Sequence, residues 1–495
     1  MECSSTPAPL LWKRPLPVTE TSTKLNPKDL ATITVLIVSA FVVILNETIM
    51  NVALPVLMHE FKVSEEAIQW LSTIFMLTMA VVIPATGFLL QRFSTRGVFM
   101  LAMILFTAGT LLAAAAPGFE LLLAARVIQA SGTAIMMPLL MTTVLDLVPA
   151  ERRGVIMGNV SIVISVAPAI GPTISGLILQ FLNWRFMFLI IAPIALAALL
   201  IGAPRLNKVA EASKMPLSIA SVILSVPAFG GLVFGLSRLS ANGLNTQTVA
   251  ILVIAVLALV CFTMLQLRLQ KKDHALLDLR TFSYRPFTLS LSLMILAMVA
   301  LFGVIILLPM YLQNVRGLDT LATGLMLLPG GLLMGLLAPF VGRLFDKVGP
   351  RPLVIPGAVI LTLVLFGYSR LLGAETAIGI IIALHLAMSL ALSLIFTPAF
   401  TTALNPLPHS LHSHGSAVLS TLQQLGGAAG TALLVGVLAS RIGAGAEAGI
   451  DPIQAQINGF SAGFMVAAIC SLGMIIISLF LTKAETPATA PVHAH

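Results

Sequence analysis

Apolar segments of about 20 residues recur along the whole chain and limit its possible folds more than any other feature. A helix of about 20 apolar residues crosses the hydrocarbon core of a bilayer, which is roughly 30 Å thick. Fourteen such segments are predicted, the first over residues 31–57 and the last over residues 459–482. Of the 495 residues, 58% are hydrophobic and only 9% are charged, which excludes a water-soluble domain. The sequence therefore predicts an all-α integral membrane protein.

The basic residues between the apolar segments predict the orientation of the chain. When successive loops are placed on alternating sides, twenty Lys and Arg residues fall on the side of the N-terminus and six on the other side. Short loops rich in Lys and Arg stay in the cytoplasm, so both termini are expected there. The net charge of +8 therefore reflects topology, and scattered basic residues predict no nucleic-acid partner.

The chain contains an internal repeat. The segments "PATGFLLQRFSTR" from Pro84 and "PFVGRLFDKVGPR" from Pro339 align at a constant offset of 255 positions, with Gly87 opposite Gly342. Two six-helix bundles in the same orientation are a plan that secondary transporters use. Because twelve helices account for the two bundles, the two remaining helices are expected between them.

Five parts are predicted along the chain. Residues 1–29 lack the apolar core and cleavage site of a signal peptide, and the three cysteines are too dispersed for a disulfide framework. The parts are a disordered cytoplasmic tail (1–29), an N-terminal six-helix bundle (30–206), two extra transmembrane helices with a cytoplasmic linker (207–285), a C-terminal six-helix bundle (286–482) and a cytoplasmic tail (483–495).

Several motifs resemble those of the major facilitator superfamily, and within it the fourteen-helix drug:proton antiporters that include lincomycin-resistance exporters. "LNETIMNVALP" resembles the signature of the first helix, and "RVIQASG" resembles that of the fourth. "GFLLQRFSTRG" from Gly87 and "GRLFDKVGPR" from Gly342 resemble two copies of a loop signature, and "APAIGPTISG" from Ala167 resembles the antiporter motif of the fifth helix. The resemblance covers most of residues 30–482 and implies the fold of two six-helix bundles plus two additional helices.

Among several departures from the family pattern, two concern acidic positions. Asn46 stands where the family usually has Asp, and the acid appears at Glu47, which is rotated by about 100° around a helix. Gln91 replaces the aspartate of the first loop signature, whereas Asp346 keeps it in the second. The first-half gating interaction is therefore expected to differ from that of the family.

Glu47 and Arg126 are ionisable residues inside predicted spans, where a charge is costly and usually functional. Removing a carboxylate from water penalises its ionised form, so such a group can exchange a proton. We interpret Glu47 as the proton carrier, and the resemblance implies that Arg126 is its partner. Two alternatives remain: Glu47 only fastens two helices, and Arg126 is held only by backbone carbonyls and Gln129.

Nine residues are predicted to line a substrate cavity, although packing or lipid contact is the alternative for most of them. Flexible methionines suit varied hydrophobic ligands. His385 is either a proton relay or a hydrogen-bonded interior group. The nine residues are Asn46, Met50, Asn51, Phe75, Met76, Gln129, Met136, Met137 and His385.

Three further features are interpreted as parts of the conformational change or as ordinary structural elements. Gly171, Pro172 and Gly176 predict a bent helix that the resemblance links to the antiport cycle, with tight packing as the alternative. "HSLHSHG" from His409 has no cysteine or neighbouring acid, so it predicts a plain cytoplasmic turn and no metal. The resemblance implies a gate between the halves, with solvated turns as the alternative, formed by Gly87, Arg92, Arg96, Gly342, Asp346 and Arg351.

These features predict a proton-coupled secondary exporter in the bacterial cytoplasmic membrane. Hydrophobic or cationic amphipathic compounds leave by alternating access as protons enter, and an endogenous metabolite, peptide, siderophore or lipid is the alternative cargo. No cofactor is expected because the proton gradient drives the cycle, and a monomer is expected in the lipid bilayer. An enzyme is not expected because intramembrane acids, histidines and cysteines are sparse, and a channel would need rings of similar groups.

Overall fold

The computed structural model describes residues 26–149, 152–206 and 218–481. Within these ranges the regular structure is entirely helical, and fourteen segments are long and apolar enough to cross a membrane. The predicted fold class and number of spans are confirmed. Most of the two predicted tails, and residues 207–217 at the start of the predicted part 207–285, lie outside the described residues.

Six helices form the first half. The side-chain oxygen of Asn26 accepts a hydrogen bond from the backbone nitrogen of Lys28 at 3.1 Å, which caps the first helix. Pro27 suits the first turn because no backbone donor is needed there. The helices are α1 (Pro27–Phe61), α2 (Glu65–Arg92), α3 (Thr95–Ala114), α4 (Phe119–Leu147), α5 (Arg153–Phe181) and α6 (Arg185–Arg205).

Two further spans follow the first half, and the first of them is interrupted. A π turn over Val226–Gly230 joins α7 (Ile219–Ser225) to α8 (Gly231–Asn242). Pro227 lies in this turn and cannot donate a backbone hydrogen bond, so a regular α-helical ladder cannot run through it. The second of the two spans is the uninterrupted helix α9 (Thr246–Leu269).

The segment between α9 and the second half is folded against the bundle. Gln266 of α9 accepts hydrogen bonds through Oε1 from the backbone nitrogens of Leu276 at 2.8 Å and Leu277 at 3.3 Å, and both leucines are buried. Arg280 donates to the buried carboxylate of Asp278, and this raises the pKa of Arg280 above its ordinary value. This segment is therefore a packed element at one end of the bundle.

The second half repeats the six-helix plan. Asp319 caps its second helix by accepting a hydrogen bond from the backbone nitrogen of Ala322 at 2.6 Å, and Asp451 caps its sixth. A short 3₁₀ turn over His409–Leu411 precedes the fifth helix. The helices are α10 (Arg285–Asn314), α11 (Thr320–Val348), α12 (Arg351–Leu371), α13 (Ile378–Leu404), α14 (His412–Glu447) and α15 (Pro452–Leu479).

The two halves meet along two equivalent helix pairs. Helix α11 packs along α5, and α2 packs against α14. The offset of 255 positions makes α2 the counterpart of α11, so the same helix of each half contacts the fifth helix of the other. We call the end of the bundle where α2, α4, α11 and α13 finish, and where α5 and α14 begin, the basic end. Side chains of both halves meet there directly.

Glycines bring the backbones of α5 and α11 into contact. A Cβ atom built on Gly158 would lie 2.9 Å from Cα of Pro339, and one built on Gly342 would overlap the carbonyl oxygen of Gly154. Small residues allow membrane helices to approach this closely. The interface between the halves therefore has no room for larger side chains at these positions.

Candidate functional site

Glu47 lies within one helical turn of the midpoint of α1, and its side chain is half-buried. The preceding residue, Asn46, is buried, and its Nδ2 atom has no hydrogen-bond partner among the described residues. The following residue, Thr48, donates its hydroxyl to the carbonyl oxygen of Leu45 at 2.9 Å. The acid is thus inside a span, beside an amide donor without a protein partner.

Arg126 is buried in α4 and is held by three groups. Its Nη1 atom donates to Oε1 of Gln129 at 2.7 Å, and its Nε atom donates to the carbonyl oxygen of Leu71 at 3.4 Å. The guanidinium carbon lies 3.9 Å from the centre of the Phe75 ring, a cation–π contact. Gln129 in turn donates through Nε2 to the hydroxyl of Thr110 at 2.8 Å. A buried polar network therefore joins α2, α3 and α4.

Glu47 and Arg126 interact through space and not by contact. Their charges attract each other. Among the described residues, however, no salt bridge joins them, and the direct partners of Arg126 are Gln129 and a backbone carbonyl. The attraction between two charges weakens with distance and with the polarity of the medium between them. A change in the charge of Glu47 would therefore alter this attraction without first breaking an ion pair.

Replacing Gln129 by Leu is expected to destabilise the protein. The substitution removes the acceptor of Arg126 and leaves a buried guanidinium short of partners, which costs about 1–3 kcal/mol. Thermal unfolding of the purified protein in detergent measures the effect. Gln454→Leu is the matched control, because Gln454 is exposed and, among the described residues, its side chain bonds only to Asn458. Equal melting temperatures for both variants would contradict the role of the network.

The predicted antiporter motif packs on the turn of α1 that carries Glu47. A Cβ atom built on Gly171 would lie 2.8 Å from Cβ of Thr48, so only glycine permits this approach. Ser175 donates its hydroxyl to the carbonyl oxygen of Ile49 at 3.0 Å. Helix α5 is therefore fixed to α1 directly beside the acid.

The opposite face of the same motif contacts the second half. A Cβ atom built on Gly324 of α11 would lie 3.5 Å from the carbonyl carbon of Pro172. Gly176 faces Leu321 at ordinary van der Waals distance, since a Cβ there would lie 3.7 Å away. Helix α5 thus links the acid-bearing helix α1 to helix α11 of the other half.

Asp346 and Gln91 make equivalent contacts at the basic end. Oδ1 of Asp346 accepts a hydrogen bond from the backbone nitrogen of Gly154 at 3.1 Å, in the first turn of α5, where a carboxylate is favoured. Gln91, 255 positions earlier, donates Nε2 to the carbonyl oxygen of Ser410 at 3.2 Å, just before α14. The glutamine therefore keeps the contact between the halves but reverses the direction of the hydrogen bond.

The remaining predicted gate residues fall into two groups. Gly87 faces α14, where an added Cβ would lie 3.1 Å from Nδ1 of His414, and Gly342 has the same place against Gly154 of α5. Both glycines therefore lie in the interface between the halves. The predicted arginines are placed at the basic end, with Arg92 half-buried and Arg96 and Arg351 exposed.

A cavity of about 440 Å³ lies between α2, α8 and α14, in the half of the bundle away from the basic end. Met76, one of the nine residues predicted to line a substrate cavity, is part of its wall. Five polar residues of the wall were not predicted. Gln69 and Thr73 are four positions apart, and Ser237 and Ser240 are three positions apart, so each pair lies on one helix face, which is a signal in the sequence. The five are Gln69, Thr73, Ser237, Ser240 and Thr431.

The other predicted substrate residues lie elsewhere. The Nε2 atom of His385 is 3.1 Å from the carbonyl oxygen of Leu327, and its Nδ1 atom has no partner among the described residues. The side chain of Asn51 lies outside what the structure describes. Asn46, Met50, Phe75, Gln129 and Met136 are buried between helices, and Met137 and His385 are half-buried.

The histidine-rich segment differs from its prediction as a plain turn without a nearby acid. His412 begins helix α14, and its Nδ1 atom lies 2.9 Å from Oδ1 of Asp146 at the end of α4. Nε2 of His409 lies 3.3 Å from the same oxygen. The acid comes from a residue 266 positions before His412, so the local sequence could not reveal it.

Comparisons with known proteins agree with this architecture. The Major Facilitator Superfamily profile matches residues 36–431. The MFS-type transporter YcnB of Bacillus subtilis is 41% identical, over 92% of this chain and 95% of its own. The lincomycin resistance protein LmrB of Listeria innocua is 40% identical, over 91% and 96%.

A solved structure extends the likeness to the fold. The proton:xylose symporter XylE superposes with a TM-score of 0.65 at 16% sequence identity, over 92% of this chain and 96% of its own. The sequence profile and the relatives together confirm the resemblance found in the motifs. The chain belongs to the major facilitator superfamily and is a membrane transporter, not an enzyme.

Proposed function

We propose that this transporter is a proton-coupled exporter of hydrophobic or cationic amphipathic drugs, with its basic end in the cytoplasm of a bacterial cell. The observation that carries the proposal is Glu47, a half-buried acid inside α1. It is electrostatically linked to Arg126 and lies beside the packed contact of Thr48 with Gly171. A group whose charge can change is thus placed where helix packing is tight.

Protonation of Glu47 removes its attraction to Arg126 and lowers the cost of keeping the side chain in an apolar region. A shift of α1 then acts on α5, because Gly171 and Ser175 fix the two helices together. Helix α5 in turn forms the interface with α11. The charge state of one side chain can therefore favour one of two arrangements of the halves, which is the basis of alternating access.

The driving force is sufficient without a cofactor. One elementary charge that crosses a membrane potential of 100 mV provides about 2.3 kcal/mol, and a pH gradient adds to it. A single chain contains both halves, so a monomer is sufficient for the cycle in a lipid bilayer. Proton entry from outside and drug exit from the cytoplasm are the two coupled steps.

The cavity between α2, α8 and α14 supports a small organic cargo. Its volume of about 440 Å³ is within the range of roughly 300–1,000 Å³ that is typical of small-molecule sites. Its wall combines hydroxyl and amide groups with the flexible side chain of Met76. The relatives named for lincomycin resistance point to the same class of compound.

The test is a transport assay in bacteria that lack their own major exporters. Cells that produce the protein are expected to accumulate several-fold less lincomycin or ethidium than cells with an empty vector, and to survive higher concentrations. A protonophore is expected to abolish the difference, because it removes the driving force. Equal accumulation of every compound in a broad panel would contradict drug export and favour an endogenous cargo.

A further inference from the structure

We propose that Asp146, His409 and His412 form a binding site for a divalent transition metal of the Zn²⁺ type. Asp146 belongs to α4 of the first half, and both histidines belong to the second half. The site lies at the basic end and does not depend on which compound the transporter carries. Three features support it: the spacing of the ligand atoms, the hydrogen bond of His412 and the exposure of His409.

The ligand atoms have the spacing that a zinc site needs. Zn–N and Zn–O distances of about 2.0–2.2 Å place neighbouring ligand atoms of a tetrahedral site about 3.3–3.6 Å apart. Oδ1 of Asp146 lies 2.9 Å from Nδ1 of His412 and 3.3 Å from Nε2 of His409, and all three ligand atoms lie within 4.8 Å of one another. Small side-chain movements are therefore enough to form the site.

The hydrogen bond of His412 leaves its other nitrogen available to a cation. Nε2 of His412 lies 3.1 Å from the carbonyl oxygen of Leu407, which can only accept, so Nε2 must carry the hydrogen. Nδ1 then presents a lone pair to a carboxylate oxygen 2.9 Å away. Two acceptors remain this close only with a cation or a second proton between them. A backbone carbonyl that orients the imidazole is also a common outer partner of metal-bound histidine.

The types of ligand indicate which metal binds, and the exposure of one ligand allows an ion to reach the site from solvent. Imidazole with carboxylate suits Zn²⁺ and similar transition metals, whereas Mg²⁺ prefers oxygen ligands. The side chains of His412 and Asp146 are 7% and 10% exposed, and that of His409 is 78% exposed. Two ligands are therefore held in place, and the third can close over an ion that arrives from solvent.

A metal bound at this site would connect the two halves at the basic end. The contact between Gln91 and Ser410 lies beside it in the chain, one residue from His409 and two from His412. Both contacts are possible only while α4 and α2 remain close to the start of α14. Bound Zn²⁺ is therefore expected to favour the arrangement in which the basic end is closed, and to raise the melting temperature.

The test measures Zn²⁺ binding by the purified, full-length protein in detergent, without a polyhistidine tag and after treatment with a chelator. Competition with a chromophoric chelator gives the Kd, and Co²⁺ in place of Zn²⁺ gives an absorption spectrum that reports tetrahedral geometry. We expect His409→Ala to weaken binding at least tenfold and His409→Cys to retain it, because cysteine is also a zinc ligand. His59→Ala is the matched control, because His59 is exposed and lies in the last turn of α1.

The outcomes decide between a metal site and a simple ion pair. Binding that is lost in His409→Ala, kept in His409→Cys and His59→Ala, and absent with Mg²⁺ supports the proposal. Asp146→Asn is a second variant that removes the carboxylate ligand, and its elution profile shows whether it folds. An equal Kd in wild type and His409→Ala, or no rise in melting temperature with Zn²⁺, would overturn the proposal and leave only the direct contact of His412 with Asp146.

Discussion

Glu47→Gln is expected to abolish efflux driven by a proton gradient while the protein still folds and reaches the membrane. Glutamine has nearly the same size as glutamate but cannot gain or lose a proton, so the attraction to Arg126 is removed permanently. The carrier then lacks the change of charge that couples the two steps. Ethidium transport into inside-out vesicles with an acidic lumen is the measurement, and a reduction to the level of empty vesicles is expected.

Glu60→Gln is the matched control for this substitution. Glu60 belongs to the same helix but lies in its last turns, where it is exposed and pairs with Arg185 at 3.5 Å. An exposed ion pair contributes about 0–1 kcal/mol, so both stability and efflux should be close to wild type. Gradient-driven efflux that survives unchanged in Glu47→Gln would show that another group carries the proton.

The spans were predictable because the bilayer imposes a simple requirement. About 20 apolar residues in a helix are needed to cross it, and this requirement determined the number of spans without knowledge of any tertiary contact. The repeat added the pairing of the halves, since Gly87 and Gly342 occupy equivalent places in two equivalent interfaces. Features that each segment needs by itself, such as the length of a span, can therefore be predicted from the sequence. The same holds for contacts that the internal repeat makes in both halves.

Contacts between distant residues were not predictable. Gln129 was a foreseeable partner of Arg126 because it lies three positions away on the same helix, whereas Leu71 and Phe75 belong to another helix. Asp146 is 266 positions from His412, and no periodicity connects them. Contacts of this kind depend on which helices become neighbours, so they can be identified only from the tertiary structure.

A single substitution in the interface between the halves is expected to have the second large effect. The equivalent glycine of the other half provides the control. Gly342→Ala introduces a methyl group that overlaps the backbone of Gly154, so α5 and α11 must separate at the basic end. Overpacking of this kind typically costs about 1–3 kcal/mol, which lowers the ratio of closed to open arrangements roughly 5- to 150-fold. A methyl group in Gly87→Ala comes closest to the side chain of His414, at 3.1 Å, and meets the backbone oxygen of Leu276 only at an ordinary contact distance of 3.5 Å.

Thiol labelling at a buried contact of the two halves measures this opening. Ser161 of α5 and Thr397 of α13 share a hydrogen bond of 2.9 Å and are buried, so Ser161→Cys reports whether water reaches the interface. The three native cysteines are first replaced by serine. We expect Gly342→Ala to accelerate labelling of this cysteine by a water-soluble reagent, together with a loss of efflux. Gly87→Ala is expected to label at the rate of the parent, because its interface can accommodate one methyl group. Equal rates in all three proteins would show that contact of α5 with α11 at Gly342 does not keep the basic end closed.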